Sequence, residues 1–314
     1  EHLPTDRRGY VAQKAQALLA MPSDKRVSFM VHEIKQALSF KGLRGLERVD
    51  PAWIVLGLKG ESARVVATVL ISLPNPLVRA VLKRLPTGIR KQLPPKEEVT
   101  RIPLELVRAV RQTFESRFHA MPAPSTRGFA FRDIMQLERA DLYRLMRDLG
   151  LIELGQAFVA VGKMALAELC RRLPRDKAEE LILAVRGAST VDVPDIKSAQ
   201  RFLSRVVVNF QDTEEFFTKA GLWRLAKASL IEDGSFRTAF KQRLSPEAGR
   251  LFVSYAEKAA ELQDLSEDVL RRLQDSVLLR IRELSRRGAI APQWQSTEMV
   301  LHQPLPATGA APGA

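Results

Sequence analysis

The residue types that most often carry chemistry are thinly spread in this chain. Its four histidines, His2, His32, His119 and His302, lie far apart, and no cysteine or carboxylate stands at metal-ligand spacing from any of them, so no metal centre is expected. The single cysteine, Cys170, falls on an apolar stripe, which argues for a structural thiol rather than a nucleophile and excludes an intramolecular disulfide. Glu97 with Glu98, and Glu179 with Glu180, are adjacent carboxylates. Neighbours one residue apart on a helix point away from each other and do not share a proton. KGLRGLE at 41–47 has two glycines but no preceding strand that would make it a phosphate-binding loop. LPATG at 305–309 matches the letters of a cell-wall sorting motif, yet only AAPGA follows it. These spacings define no catalytic constellation, and a non-enzymatic chain without a cofactor is the expectation.

Charge is the next signal. A net charge of +13 and a pI near 10.2 imply attraction to acidic partners or a well-solvated surface. Basic residues are densest from Arg79 to Arg117, and Arg79, Lys83, Arg84, Arg90 and Lys91, together with Glu61 and Arg64, are the candidate partner-binding residues. A basic helical array could hold nucleic acid through phosphate contacts, with a steep salt dependence. That is the alternative reading, weakened by the shortage of aromatic side chains in this stretch to stack on bases. No run approaches the ~18 consecutive apolar residues of a membrane-spanning helix, so no insertion into a membrane is expected. The chain begins EHLPTDRRG, without a Met or a charged-then-apolar leader pattern, which is compatible with a shortened amino terminus.

The elements that must position these groups are helices. In 129–173 apolar residues recur three and four apart: Phe131, Ile134, Leu137, then Leu142, Leu145, Met146, Leu149, then Phe158, Val161, and Leu166, Leu169, Cys170, Leu173. The pattern predicts short amphipathic helices, each needing a neighbour to cover its stripe. A unit recurs: VLKRLPTGIRKQL, ELCRRLPRDKAEEL and AFKQRLSPEAGRLF each run a helix to Arg-Leu, turn at Pro86, Pro174 or Pro246, and start another helix, while LLAMPSDKRVSFMV is a looser copy. RVVVNF at 205–210 reads as helix or strand. The fold class is all-α, an armadillo- or HEAT-like right-handed stack of helix hairpins. The expected organisation is an N-terminal helical segment at 1–50, helical units at 51–120, 129–210 and 211–290, a Pro-rich linker at 121–128 and a disordered tail at 291–314.

The sequence resembles the flagellar motor switch protein FliG. That family opens its carboxy-terminal domain with MFVFEDI, matched here by GFAFRDI through Phe129, Phe131, Asp133 and Ile134, and the following helices align without a gap through Gln200. Residues 58–118 resemble the middle domain, and RIRELSRRGAI at 280–290 resembles the closing helix and its glycine turn. The resemblance implies a scaffold that self-associates in a ring and binds other ring or switch proteins of a membrane-anchored flagellar or type III secretion apparatus. It also implies a cytoplasmic location, peripheral to the membrane through those partners. The family's torque charges, a Lys, an Arg, two Asp and a second Arg, fall here on Val159, Asp176, Leu183, Ala184 and Asp192, or in the third unit near Leu230, Glu247, Ser254, Tyr255 and Ser266. Neither set keeps the charge pattern needed to mesh with a stator, so torque generation is not expected. The family's EHPQ docking motif falls on Glu61, Ser62, Ala63 and Arg64, keeping only the glutamate.

Overall fold

The structure is a computed structural model describing Pro22 and residues 46–302 apart from 123–124, 126–127, 160, 189–192, 207–211, 263–264 and 292–298. The looser repeat copy, the expected helices before residue 46, Asp192 and most of RVVVNF lie outside the described residues. The described chain is all-α, with an isolated bridge between Phe129 and Met299 as its β-type pairing. It divides into two compact units, 1–47 with 54–118, and 48–53 with 119–314.

In the first unit the helices are α1 (Pro51–Gly57, begun in the other unit), α2 (Ala63–Ile71), α3 (Asn75–Arg84), α4 (Thr87–Lys91), α5 (Lys96–Thr100) and α6 (Leu104–Glu115). Proline punctuates them. Pro74, Pro86, Pro95 and Pro103 each occupy an N-cap, where extended backbone is required. α2 packs on α5 and α6, and Ile54, Val66, Val69, Leu77, Val81, Val99, Val107 and Phe114 form the buried interior. Arg117 ties the end of α6 back to α1, donating to the Gly57 carbonyl and to Glu61 Oε1, each at 2.5 Å.

The second unit opens with the turn that carries the family resemblance. Phe131–Gln136 is a 3₁₀ turn in which Phe131, Ile134 and Met135 are buried. Asp133 is only 4% exposed, and its carboxylate accepts the backbone N–H groups of Ser125 and Ala130, both at 2.8 Å. Phe129 pairs with Met299, and the Val300 N–H donates to the Phe129 carbonyl. The helices that follow are α7 (Arg139–Val159), α8 (Lys163–Arg172), α9 (Arg175–Gly187), α10 (Val193–Val206), α11 (Thr213–Ala228), α12 (Gly234–Arg243), α13 (Pro246–Ala260) and α14 (Glu267–Arg286).

The expectation of short helices fails at α7, which runs 21 residues. Gly150 and Gly155 do not end it. A Cβ at Gly155 would lie 2.8 Å from the backbone of Ala184 on α9, so this glycine serves a close helix crossing. α9, α10 and α11 all pack on α7, whose residues are buried on nearly every side. Val161, expected on the buried stripe, lies past the end of α7 and is 43% exposed.

The repeated hairpin is real in three dimensions. Leu85, Leu173 and Leu244 are buried and extended, each closing a helix ahead of the next N-cap, which is Pro86, Pro174 or Ser245. A residue before proline is driven out of the α region, which explains Leu85, Leu173 and Ser245. Four residues before each leucine stand Val81, Leu169 and Phe240, and eight before it stand Leu77, Ala165 and Phe236. In the third copy both are buried aromatics, and Phe240 stacks on Phe236 at 5.9 Å and meets Phe252 at 4.9 Å.

Candidate functional site

The second unit contains a cleft of about 700 Å³ between α7, α9 and α14. Leu151 and Ile152 of α7, Leu183 and Ala184 of α9, and Leu284 of α14 supply apolar lining. Leu183 is 64% exposed, an unusual position for a leucine on a helix that buries only one residue, Leu181. The charges at the rim are mutually compensated. Arg280 clamps Asp148 with two guanidinium nitrogens, one at 2.8 Å, and this carboxylate is the main cause of the raised Arg280 pKa. Arg147 reaches Glu180 at 3.3 Å and Glu214 at 3.2 Å. Such a cleft is chemically suited to apolar contact with a macromolecule, and its rim offers no uncompensated charge to hold a small ion.

Beneath α7 is a buried charge cluster for which sequence reasoning had no place. Glu153, wholly buried, accepts from Arg224 at 3.0 Å and from Lys227. Arg224 also donates to Gln156 and Ser276, and Lys227 to Ser198, linking α7, α10, α11 and α14. A single glutamate inside the run LGLIELGQAFV was the available clue: a charge at a core position must bring its partner with it.

The predicted partner-binding residues all belong to the first unit. Glu61 sits one residue before the N-cap of α2, ion-paired to Arg117, and Ser62 caps the helix by accepting from Val65 N–H. Glu61 thus lies outside the helix, and serine takes the cap. Arg64 pairs with Glu98 at 2.8 Å. Arg79, Lys83, Arg84, Arg90 and Lys91 are exposed on α3 and α4; Arg84 donates to its own helix at Ala80 O and Arg90 to Thr87 Oγ1. The structure therefore gathers the last five on consecutive helices and engages Glu61 and Arg64 in ion pairs.

The remaining candidates have structural settings. Cys170 is half-buried, and desolvation raises its pKa, which lowers its thiolate content. His302 donates its backbone N–H to Asp275 and brings Nδ1 to 3.0 Å from the same carboxylate, while the His119 N–H donates to Gln242. Among the described residues no group of three His, Cys, Asp or Glu could hold a metal, and no helix is long and apolar enough to cross a membrane. Of the positions matched to torque charges, Val159 ends α7, Asp176 is exposed in the first turn of α9, and Leu183 and Ala184 line the cleft. In the third unit Tyr255 is core, its pKa pushed up by burial, and Ser266 caps α14.

No protein-family model matches the chain, and no curated protein matches it. Among solved structures, the crystal structure of H. pylori FliG residues 116–343 aligns with 78% of this chain and 93% of that chain, at 12% identity and a TM-score of 0.23. That score is too low to carry a structural argument, and the functional reading rests on the chain's own residues.

Proposed function

We propose that this chain is a non-enzymatic scaffold, a FliG-like ring or switch-complex subunit at the cytoplasmic base of a flagellar or type III secretion apparatus, and that it does not generate torque. The observation that carries the reading is the GFAFRDI turn. Its phenylalanines and isoleucine are buried, and Asp133 satisfies two backbone donors. These are the residues on which the resemblance to FliG was drawn. The apolar pair Leu183 and Ala184, standing where that family places two aspartates, supports an assembly role without torque. In this reading the chain is held peripherally at the membrane by partner proteins, copies associate in a ring, and Arg79, Lys83, Arg84, Arg90 and Lys91 present a basic face to an acidic partner.

The test is isolation of the tagged full chain from its host after mild cross-linking. Ring or switch components of a flagellar or secretion base are expected among the captured proteins. A folded, monodisperse chain that never captures them overturns the proposal.

A further inference from the structure

Between Glu61 and Glu97 the sequence has no carboxylate at all, but seven cations: Arg64, Arg79, Lys83, Arg84, Arg90, Lys91 and Lys96. Arg64 is neutralised by Glu98. The other six are exposed, and none of them has an ion-pair partner among the described residues. Many arginines of the second unit contrast with them: Arg132, Arg139, Arg147, Arg171, Arg172, Arg175, Arg224 and Arg280 each meet an acid. By composition the first 45 residues add to the basic balance, with eight basic against four acidic side chains.

The placement of these cations selects the kind of partner. Lys83 and Arg84 lie in the last turn of α3, Arg90 and Lys91 in the last turn of α4. The N-termini of these helices offer little to a phosphate: Pro76 removes a donor from the first turn of α3, and α4 and α5 are only five residues long. There is no aromatic residue from 71 to 96 to stack on a base. None of the large exposed hydrophobic residues, Leu56, Leu106, Val161, Met164, Leu183 and Val300, falls in this stretch to anchor a protein hot spot. What remains is a group of three lysines and three arginines on long exposed side chains, interleaved with half-buried Val78, Leu82 and Ile89. A fluid surface of anionic headgroups, which rearranges around such charges, is the complementary partner.

We infer that the α3–α4 face binds directly to an anionic lipid leaflet, an attachment beyond the protein-mediated one of the preceding section. Co-sedimentation of the full chain with vesicles tests it. Binding is expected to vesicles of phosphatidylcholine with about a third phosphatidylglycerol and not to pure phosphatidylcholine. At about fivefold per cation, Lys83→Gln with Lys91→Gln should weaken binding by roughly 25-fold. Paired controls at Arg171 and Arg175, already bound to Glu168 and Glu179, should leave it within about twofold. Equal binding to neutral vesicles, no effect of the paired substitution, or complete displacement by an equal charge of duplex DNA each overturns the inference. Because the assay uses the isolated chain and lipid alone, its failure leaves the ring-subunit proposal standing, and the reverse holds for the capture experiment.

Discussion

Gly150 of α7 and Gly221 of α11 face each other where the two helices cross. A Cβ on Gly150 would stand 1.8 Å from the Phe217 carbonyl oxygen, and one on Gly221 would stand 1.6 Å from that of Met146. Each glycine therefore admits the other helix's backbone, and the core around Met146, Leu149, Phe217 and Ala220 closes over this contact. Gly150→Ala or Gly221→Ala should force the helices apart and cost about 3 kcal/mol or more. Gly88→Ala, at a helical site with nothing within 4 Å, should instead gain a few tenths to about 1 kcal/mol. Thermal melts by circular dichroism separate the two outcomes, and an unshifted melt for either crossing variant would show that the helices are not in backbone contact.

Glu153 offers a second test, of the buried cluster. Removing its charge leaves Arg224 and Lys227 buried without their carboxylate, so Glu153→Gln should destabilise the second unit by about 3–5 kcal/mol. Replacing all three together, Glu153→Leu with Arg224→Met and Lys227→Met, should recover most of that loss. Urea denaturation of the single and triple variants provides the comparison; equal loss in both would mean the cluster's hydrogen bonds, rather than its stranded charge, dominate.

Asp233 contributes to the acid side of the stability curve. It caps α12, and hydrogen bonds from Ser235, from the Phe236 N–H and from Arg132 hold its pKa well below the usual carboxylate value. A folded pKa below the unfolded one means the stabilisation is complete above the unfolded value near 4 and is lost as pH falls below it. Asp233→Asn should therefore lower the melting temperature at pH 7 and flatten its decline between roughly pH 4 and pH 2. A wild-type slope retained in the variant would assign the acid sensitivity to other carboxylates.

The legible part of this fold was its punctuation. Proline followed by a fresh apolar period located α3, α4, α9 and α13, because that residue restricts its own backbone and its predecessor's whatever the surroundings. Non-local packing was illegible. The glycines of LGLIELG look like helix ends until α11 and α9 are placed against them, and Glu153 looks like a solvated charge until Arg224 and Lys227 arrive 71 and 74 residues later. The cleft is non-local in the same way, since its lining comes from three helices far apart in the chain.

One repeat position takes on different roles in its three copies. Arg84, Arg172 and Arg243 each precede the buried leucine of the hairpin turn. Arg84 and Arg172 are exposed, turned to their own helix or to Glu168. Arg243 is 5% exposed and donates to the carbonyls of Arg48 and Leu137, joining the segment before α1 to the turn before α7. Burial lowers its pKa to about 10, so carrying the charge costs folding energy that the two carbonyls offset. With the folded pKa below the unfolded one for a cation, that cost is present at neutral pH and is relieved, not increased, as pH rises through 10. Arg243→Ala should cost about 2–4 kcal/mol by leaving both carbonyls unpaired, whereas Arg84→Ala and Arg172→Ala should stay within about 0.5 kcal/mol. Chemical denaturation of the three variants reads the ranking directly, and a cost for Arg84→Ala equal to that for Arg243→Ala would mean that the repeat position has a common structural duty that its burial does not explain.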